Sequence, residues 1–223
     1  MPGATSGARP DGLAQQRARM VEEQLRARGI GDARVLAAMS QVPRETFIAA
    51  ESVRDAYGDF PVPIGSGQTV SQPYIVAAMV EALALRPEDR VLEVGTGTGY
   101  EAAILAELAA EVWTIERHQE LAERARQVLA GLGYANLHVV QGDGSRGLPE
   151  HAPFDKILVA AAAPRIPESL VAQLADNGRL VVPVGDRAEQ QVHVVRKQGK
   201  EISVSTHDLC RFVPLVGVEG WQD

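Results

Sequence analysis

The amino-acid sequence predicts an α/β fold built on a mostly parallel sheet. Three observations support this prediction. Short apolar strands alternate with helices between residues 90 and 185, a glycine-rich loop joins the first of these strands to its helix, and two strand patterns near the chain end are joined by a short polar turn. Such alternation is typical of a parallel sheet with helices on both faces, and the final pair should add an antiparallel edge.

The chain begins with what we expect to be a small helical region. Residues 1–12 are rich in Gly, Pro, Ala and Ser, which favours a disordered tail. Residues 13–29 carry apolar side chains at near-helical spacing, and Gly29 is a good stop signal. A second helix should follow Asp32, a suitable N-cap, and a third is expected between residues 44 and 57.

The alternating part of the chain can be divided at its glycines and prolines. The expected strands are "RVLEVG", "EVWTIE", "LHVVQGD", "FDKILVAAAA" and "RLVVPVG", and the expected helices are "YEAAILAELA", "QELAERARQVLAGLG" and "PESLVAQLADNG". The final strands are "QVHVVRK" and "ISVSTHDLCRFVPLV". Because the chain has no internal repeat and no low-complexity linker, we expect residues 13–223 to form one domain.

Composition restricts the class of protein. Hydrophobic residues make up 45% of the 223 residues and charged residues 23%, as in ordinary globular proteins. We find no apolar run of membrane-spanning length, no signal core, and one cysteine, Cys210, so we expect a cytoplasmic protein without a membrane partner. A net charge of −7 argues against a nucleic-acid partner. We expect a monomer.

The histidine and cysteine positions do not predict a metal site. The five histidines lie far apart, and neither a His-Glu-x-x-His nor a Cys-x-x-Cys pattern occurs.

The most informative stretch is "VLEVGTGTGYEAAILA", in which a strand leads into Gly95, Gly97 and Gly99 and a helix then begins. Glycine permits a sharp turn and close approach of a ligand beside the helix amides. A tight turn alone would need one glycine, so three at alternate positions favour a ligand-binding loop. The third glycine comes one residue earlier than in the dinucleotide fingerprint, which disfavours a nicotinamide dehydrogenase.

Acidic residues at the strand ends indicate which ligand this loop binds. Glu93 precedes the loop, where it would repel a pyrophosphate but suit a cationic amino group. Glu116 ends the second strand, about 20 residues on, where a carboxylate can accept two ribose hydroxyls. Asp143, followed by Gly144, could contact an adenine amine, although an Asp-Gly pair also forms turns. Adenine, ribose and ammonium without phosphate describe S-adenosylmethionine; solvated strand ends are the alternative interpretation of both glutamates.

Several motifs together resemble the protein-L-isoaspartate O-methyltransferases. They are "VPRETF", "IGSGQTVSQPYIVAAM", "VLEVGTGTGY", "IER", "GDG", "PFDKILVAAAAPRIPESL", "GRLVVPVG" and "RFVPLVG", within residues 13–217. The glycine loop is shared by many methyltransferases, whereas the Gln-Thr-x-Ser-Gln-Pro and Arg-Phe-Val-Pro-Leu segments are more specific. One departure is Ser145, where the family often has an aromatic residue after "GDG".

This resemblance implies a Rossmann-like S-adenosylmethionine-dependent methyltransferase fold with reordered C-terminal strands. It also implies methylation of the free α-carboxyl of isoaspartyl residues in damaged proteins, with S-adenosylhomocysteine as the second product. In the Gln-Thr-x-Ser loop, it implies that Ser71 is the active-site residue.

The chemistry of the loop supports a positioning role for Ser71. A carboxylate nucleophile is already ionised near neutral pH and needs no base, so the enzyme must hold it in line with the methyl group. Gln68, Thr69 and Val70 would then form the wall between donor and substrate, with Val70 and Ser71 touching the substrate. An N-cap role for Ser71, in front of the helix that starts near Pro73, is the alternative.

The acceptor is predicted from two further segments. "AAAAPRIP" follows the fourth strand and lacks the acid or amide that commonly holds an exocyclic amine, which favours an oxygen acceptor. The segment "CRFVPLV" is either a plain edge strand or an edge that pairs with a substrate backbone, with Arg211 meeting a carbonyl or carboxylate.

Two other functions fit the same pattern. A small-molecule or RNA methyltransferase would keep the donor site and change only the acceptor. A non-catalytic protein that senses S-adenosylmethionine would bind the donor without turnover.

Overall fold

The chain begins with a helical region in the computed structural model, which describes residues 10–222. Helix α1 (Pro10–Arg19) continues as a π-helical turn (Met20–Leu25) and a 3₁₀ turn (Arg26–Arg28), and α2 spans Ala33–Gln41. Gly29 ends the first helical stretch in the left-handed region at φ 98°, and the Asp32 carboxylate caps α2 by accepting a hydrogen bond from the Arg34 amide, both as predicted.

The helix expected between residues 44 and 57 is absent, and two 3₁₀ turns (Arg44–Phe47 and Ala50–Asp55) replace it. The extended backbone of Ile48 separates the turns, and the buried Arg44 guanidinium donates to the Ala56 carbonyl at 2.7 Å. The segment therefore folds back around a buried cation instead of presenting one apolar helical face.

A small antiparallel hairpin precedes the central sheet in the chain. Its strands are β1 (Val62–Gly65) and β2 (Gln68–Val70), and helix α3 (Pro73–Leu83) follows directly. Most of the Gln-Thr-x-Ser-Gln-Pro segment is thus the second strand of a hairpin and the entry to a helix. Buried residues along α3, among them Val76 and Val80, dock the hairpin beside the sheet.

The central sheet has seven strands in the order β5-β4-β3-β6-β7-β8-β9. Five strands are parallel, and β8 and β9 join antiparallel at one edge, so the predicted fold class is confirmed. The strand bounds are β3 (Arg90–Val94), β4 (Glu111–Glu116), β5 (Leu137–Gln141), β6 (Phe154–Val159), β7 (Leu174–Gly185), β8 (Gln190–Gln198) and β9 (Glu201–Cys210).

Helices α4 (Tyr100–Ala106), α5 (Gln119–Gly131) and α6 (Glu168–Ala172) connect the parallel strands. The prediction that α6 continues to Gly178 was wrong. Strand β7 begins at Leu174, its pairing with β6 is irregular until Arg179, and Asn177 has a left-handed φ of 61°. A residue in that region interrupts a helix, because non-glycine side chains adopt it only singly.

The central strands of the sheet are buried on both faces, whereas the edge strand β9 is exposed. Alternate residues of β3 enter different apolar clusters, Val91 on one face and Leu92 on the other, as strand geometry requires. Because β4 and β6 lie on opposite sides of β3, the strand order reverses there, and a crevice forms at the carboxyl ends of these strands. This crevice is where α/β sheets bind ligands.

The predicted tail, residues 1–12, falls mostly on residues 1–9, which lie outside the described residues; α1 begins at Pro10. One domain over residues 13–223 stays a prediction. Within residues 10–222, no helix combines the length and the apolar character needed to span a bilayer.

Candidate active site

A cleft opens at the carboxyl ends of β3, β4 and β6, and we call it the glycine-loop cleft. It brings together six residues that the sequence predicted for the donor site: Gln68, Thr69, Gly95, Gly97, Glu116 and Gly144. The chain also supplies walls that sequence reasoning missed, including Ala160 after β6 and residues 213–216. Residues almost 150 positions apart therefore converge on one cleft.

The glycine loop needs glycine at each of its three positions, but for different reasons. Gly95, Gly97 and Gly99 all have positive φ angles, of 100°, 53° and 90°. Gly95 and Gly97 line the cleft, whereas Gly99 does not. A Cβ atom at Gly99 would lie 3.0 Å from Cδ1 of Leu129, so this glycine lets α4 pack closely against α5. Ligand contact by Gly99 stays a prediction.

Glu116 occupies the end of β4 with its carboxylate fixed in place. One oxygen accepts a hydrogen bond from the Gly97 amide at 2.9 Å, and the other accepts one from the His118 amide at 2.9 Å. The residue is 6% exposed and lines the cleft. A carboxylate has about four acceptor positions, so both oxygens can still accept ligand hydroxyls.

Glu93 lies beneath the glycine loop and is fully buried. It faces Thr114 in the register of β3 with β4, and the Thr114 hydroxyl donates to its carboxylate. Its other oxygen has no hydrogen-bond partner among the described residues. Burial raises the pKa of Glu93 well above its usual value. Because the strand directs this side chain into the packed face, Glu93 does not line the cleft, and its predicted contact with an ammonium group stays a prediction.

Asp143 is engaged within the protein. It accepts hydrogen bonds from the Ser145 amide and hydroxyl at 2.9 and 2.7 Å and from the Val218 amide at 2.9 Å. Its neighbour Gly144 lines the cleft, where a Cβ atom would lie 2.5 Å from Cγ1 of Val94. The "GDG" segment thus provides a close backbone approach to the sheet at Gly144. Adenine contact by Asp143 stays a prediction.

A second cleft, which we call the outer cleft, lies on the other side of Thr69. It has a volume of about 320 Å³ and is lined by Ser71, Tyr74 and residues 208–213, which include Arg211. Such a volume accommodates a small ligand or a peptide side chain with its flanking backbone. The structure therefore brings Ser71 and Arg211 to the same cleft, although they are 140 positions apart in the chain.

Ser71 is not the N-cap of α3, so that alternative is wrong. The capping position belongs to Gln72, which makes no side-chain cap hydrogen bond. Val70 and Ser71 together line a small pocket beside the glycine loop, and Ser71 also reaches the outer cleft. Among the described residues, no group forms a hydrogen bond with the Ser71 hydroxyl, which leaves this hydroxyl available to a ligand.

The C-terminal segment crosses the carboxyl ends of the strands. We expected "ISVSTHDLCRFVPLV" to be one edge strand, but β9 ends at Cys210. The Ala162 amide donates to the Val213 carbonyl, and the Leu215 amide donates to the Ala162 carbonyl, both at 2.8 Å. These hydrogen bonds turn the segment back over β6. Val213 consequently lines both clefts, as do Thr69 and Ala160.

The sequence was compared with models of known protein families. The family model described as protein-L-isoaspartate(D-aspartate) O-methyltransferase matches residues 15–220. The chain belongs to this family.

Similar proteins of the protein-L-isoaspartate O-methyltransferase family span nearly the same length. A protein of this name from Koribacter versatilis is 57% identical over 96% of this chain and 97% of its own length. One from Methanoregula boonei is 55% identical over 94% of this chain and 97% of its own length. Both values are far above what is needed to share a fold.

Two solved structures of the same family resemble this fold. One, named protein-L-isoaspartate O-methyltransferase, has a TM-score of 0.82 at 28% identity and covers 92% of this chain and 67% of its own. A second, from Plasmodium falciparum and in complex with S-adenosyl-L-homocysteine, has a TM-score of 0.77 at 27% identity and covers 88% of this chain and 96% of its own.

Arg44 is another residue of the site that the sequence did not predict in this member of the isoaspartate O-methyltransferase family. It is fully buried and donates to the Ser71 carbonyl at 2.8 Å, while its guanidinium lies 4.7 Å from the centre of the Tyr100 ring. Burial lowers the pKa of Arg44 from its usual value. The only sequence signal was its place in the "VPRETF" motif. The contact fixes the backbone of the Ser71 loop.

Proposed function

We propose that this chain transfers a methyl group from S-adenosylmethionine to the free α-carboxyl of L-isoaspartyl residues in damaged proteins, which initiates their repair. Membership of the protein-L-isoaspartate O-methyltransferase family, with relatives that match along the whole domain, carries the proposal. The contact between a glycine-loop cleft and a peptide-sized outer cleft supports it, because donor and acceptor must meet across a shared wall.

The residues of the glycine-loop cleft fit the donor. Gly95 and Gly97 leave the loop without side chains, and Glu116 presents a fixed carboxylate to the hydroxyls of a ribose. Val94, Ile115 and Gly144 offer a mostly apolar wall to a flat base, and Gln68 and Thr69 line the same cleft. The relative from Plasmodium falciparum in complex with S-adenosyl-L-homocysteine supports this assignment. When bound, the donor supplies an electrophilic methyl group on a sulfonium ion.

The acceptor needs orientation more than activation. A peptide α-carboxylate is ionised near neutral pH, so the chain does not have to remove a proton from it. We propose that the Ser71 hydroxyl donates a hydrogen bond to one carboxylate oxygen and leaves the other free to attack. Burial raises the pKa of the nearby Cys210 thiol to about 11, so this thiol is uncharged and does not compete as a nucleophile.

The wall residues and the C-terminal segment exclude water from the point where the clefts meet. Thr69, Ala160 and Val213 line both clefts, and the last two present mostly apolar surface. We propose that the substrate backbone lies along residues 208–213 and that Arg211 contacts one of its carbonyl or carboxylate groups. Exclusion of water strips the nucleophile of its hydration shell before transfer.

Replacing Glu116 with alanine is expected to weaken the binding of S-adenosylhomocysteine by about 1–3 kcal/mol, because hydrogen bonds to a charged acceptor are lost. The loss of the Gly97 anchor should add to this effect. Titration calorimetry measures the change. Glu111→Ala is the matched control, since Glu111 begins the same strand at the far end and pairs with Arg90 at 2.9 Å. Unchanged affinity in the Glu116 variant would remove this residue from the donor site.

The proposed function is tested by incubating the protein with methyl-labelled S-adenosylmethionine and an isoaspartyl peptide. We expect a base-labile methyl ester on the peptide and one equivalent of S-adenosylhomocysteine for each ester formed. Methylation of RNA or of a small metabolite without labelling of the peptide would support the alternative acceptor. Donor binding without any transfer would instead indicate a sensor.

The sequence predictions of a monomer, of a cytoplasmic location and of the absence of nucleic-acid and membrane partners remain part of this proposal. A net charge of −7 supports the absence of a nucleic-acid partner.

A further inference from the structure

A small pocket extends from the glycine-loop cleft past the glycines, and we call it the inner pocket. It has a volume of about 40 Å³ and shares Thr69, Gly95, Gly97 and Ala160 with the cleft. Its lining also includes Glu101, which the glycine-loop cleft lacks. A space of this size accommodates a small polar group but not a ring.

Glu101 is buried without a close partner. It is the second residue of α4, is 8% exposed, and its Oε1 atom has no hydrogen-bond partner among the described residues. No cationic nitrogen of the described residues lies within 4.0 Å of its carboxylate oxygens. Buried acids are normally paired, so a carboxyl group without a protein partner, on a residue that lines a pocket, indicates that a ligand supplies the partner.

The charges around Glu101 define what this ligand group should be. The Arg44 guanidinium acts on Glu101 from the segment after α2, the neighbouring Glu93 carboxyl lies on β3, and the Tyr100 hydroxyl donates to the sulfur of Met39. Burial raises the pKa of Glu101 to about 8, and Arg44 only partly opposes this rise. Arg44 makes no ion pair with Glu101, so the Glu101 carboxyl can still pair with a cation that a ligand supplies.

We propose that Glu101 is the counter-ion of the α-ammonium group of the donor, held in the inner pocket. This inference rests on the proposed function, since it assigns the amino-acid end of the same donor. Gly144 and Glu116, the residues assigned to base and ribose, line the glycine-loop cleft, whereas Glu101 lines only the inner pocket, which shares Gly95 and Gly97 with that cleft. The amino-acid end then reaches the pocket that Ser71 also lines, which fixes the donor beside the acceptor.

The test compares Glu101→Gln with the wild-type protein by titration calorimetry using two ligands. S-adenosylhomocysteine carries the ammonium group, and 5′-methylthioadenosine lacks the whole amino-acid end. We expect the substitution to weaken S-adenosylhomocysteine about 10-fold or more and to leave methylthioadenosine nearly unchanged, because only one ligand loses a charged hydrogen bond. Glu88→Gln, the same change at an exposed turn before β3, should affect neither ligand.

Decarboxylated S-adenosylmethionine identifies which group of the amino-acid end meets Glu101. It retains an ammonium group and lacks the carboxylate, so the substitution should weaken it as much as S-adenosylhomocysteine. Weakening of S-adenosylhomocysteine alone would overturn the proposal, since Glu101 would then be a protonated donor to the ligand carboxylate. Equal weakening of methylthioadenosine would also overturn it and indicate a structural role.

Proton release provides a second measurement on the unaltered protein. A cation beside Glu101 favours the carboxylate and lowers its pKa below the value of about 8 in the free protein. Affinity for S-adenosylhomocysteine should therefore rise with pH up to about 8. At pH 7, calorimetry in buffers of different ionisation enthalpy should show proton release that methylthioadenosine does not cause.

The proton-release measurement uses the wild-type protein and does not depend on whether Glu101→Gln folds. Absence of proton release, or uptake of protons, would overturn the role of Glu101 alone. A wild-type protein that binds no S-adenosylhomocysteine would overturn both this role and the proposed function, which separates the two failures.

Discussion

A peptide with an L-isoaspartyl residue is expected to be methylated on the order of 100-fold faster than the same peptide with a normal L-aspartyl linkage. In the isoaspartyl linkage the backbone runs through the side-chain carboxyl, and the free α-carboxylate is attached directly to a main-chain carbon. In the normal linkage the carboxylate lies one methylene further out.

We expect the outer cleft to impose this selectivity. Ser71 and residues 208–213 line the same cleft, so a backbone held along the C-terminal segment would present its carboxylate at a defined distance from the Ser71 hydroxyl. An extra methylene displaces the oxygen by about a bond length. A displacement of roughly 1 Å can cost about 100-fold in rate, because the in-line geometry of the transfer is lost.

The measurement uses two synthetic peptides that differ only in this linkage, incubated with methyl-labelled donor. A third peptide with asparagine at the same position controls for labelling elsewhere. The ester formed should be labile and collapse to a succinimide. Equal labelling of the aspartyl and isoaspartyl peptides would contradict the assignment of the outer cleft to an isoaspartyl substrate.

Ser71→Ala should lower kcat by about 10- to 100-fold while changing the affinity for S-adenosylhomocysteine little. The expected size corresponds to one hydrogen bond to a charged group, about 1.5–3 kcal/mol. The structure supports a catalytic effect over a structural one, because the hydroxyl does not cap α3 and is free among the described residues. The Arg44 contact is to the Ser71 carbonyl and should survive the substitution.

Steady-state kinetics with an isoaspartyl peptide, calorimetry with S-adenosylhomocysteine and thermal unfolding together separate the roles of Ser71. Ser66→Ala is the matched control, since it deletes a hydroxyl at the exposed turn of the same hairpin, outside both clefts. Normal turnover, or a lower melting temperature as the only defect, would show that Ser71 does not orient the substrate.

The sequence alone predicted those parts of the fold that depend on near neighbours. The cap at Asp32, the stop at Gly29, the alternating strands and helices, and the glycine loop are all produced by residues within a few positions of one another. The motifs also predicted that Ser71 and Glu116 line clefts, since their positions follow from strand ends and turns.

Several errors in the sequence prediction share a cause. The helix expected after residue 44 became two 3₁₀ turns around the buried Arg44, and the helix expected to reach Gly178 gave way to irregular pairing between β6 and β7. In both places, contacts with distant parts of the chain determine the backbone. The intrinsic helix and strand propensities of neighbouring residues carry no information about such contacts.

The amino-acid sequence by itself determined the fold class, the family and six of the residues that line the glycine-loop cleft, because these follow from local pattern and motif. Only the tertiary structure decided that Arg44 holds the Ser71 loop, that the chain end turns back over β6, and that Glu101 rather than Glu93 faces the inner pocket. The direction and burial of a side chain are set where separate elements pack against one another. Groups that are neighbours in space can therefore be far apart in the sequence, where no local pattern marks them.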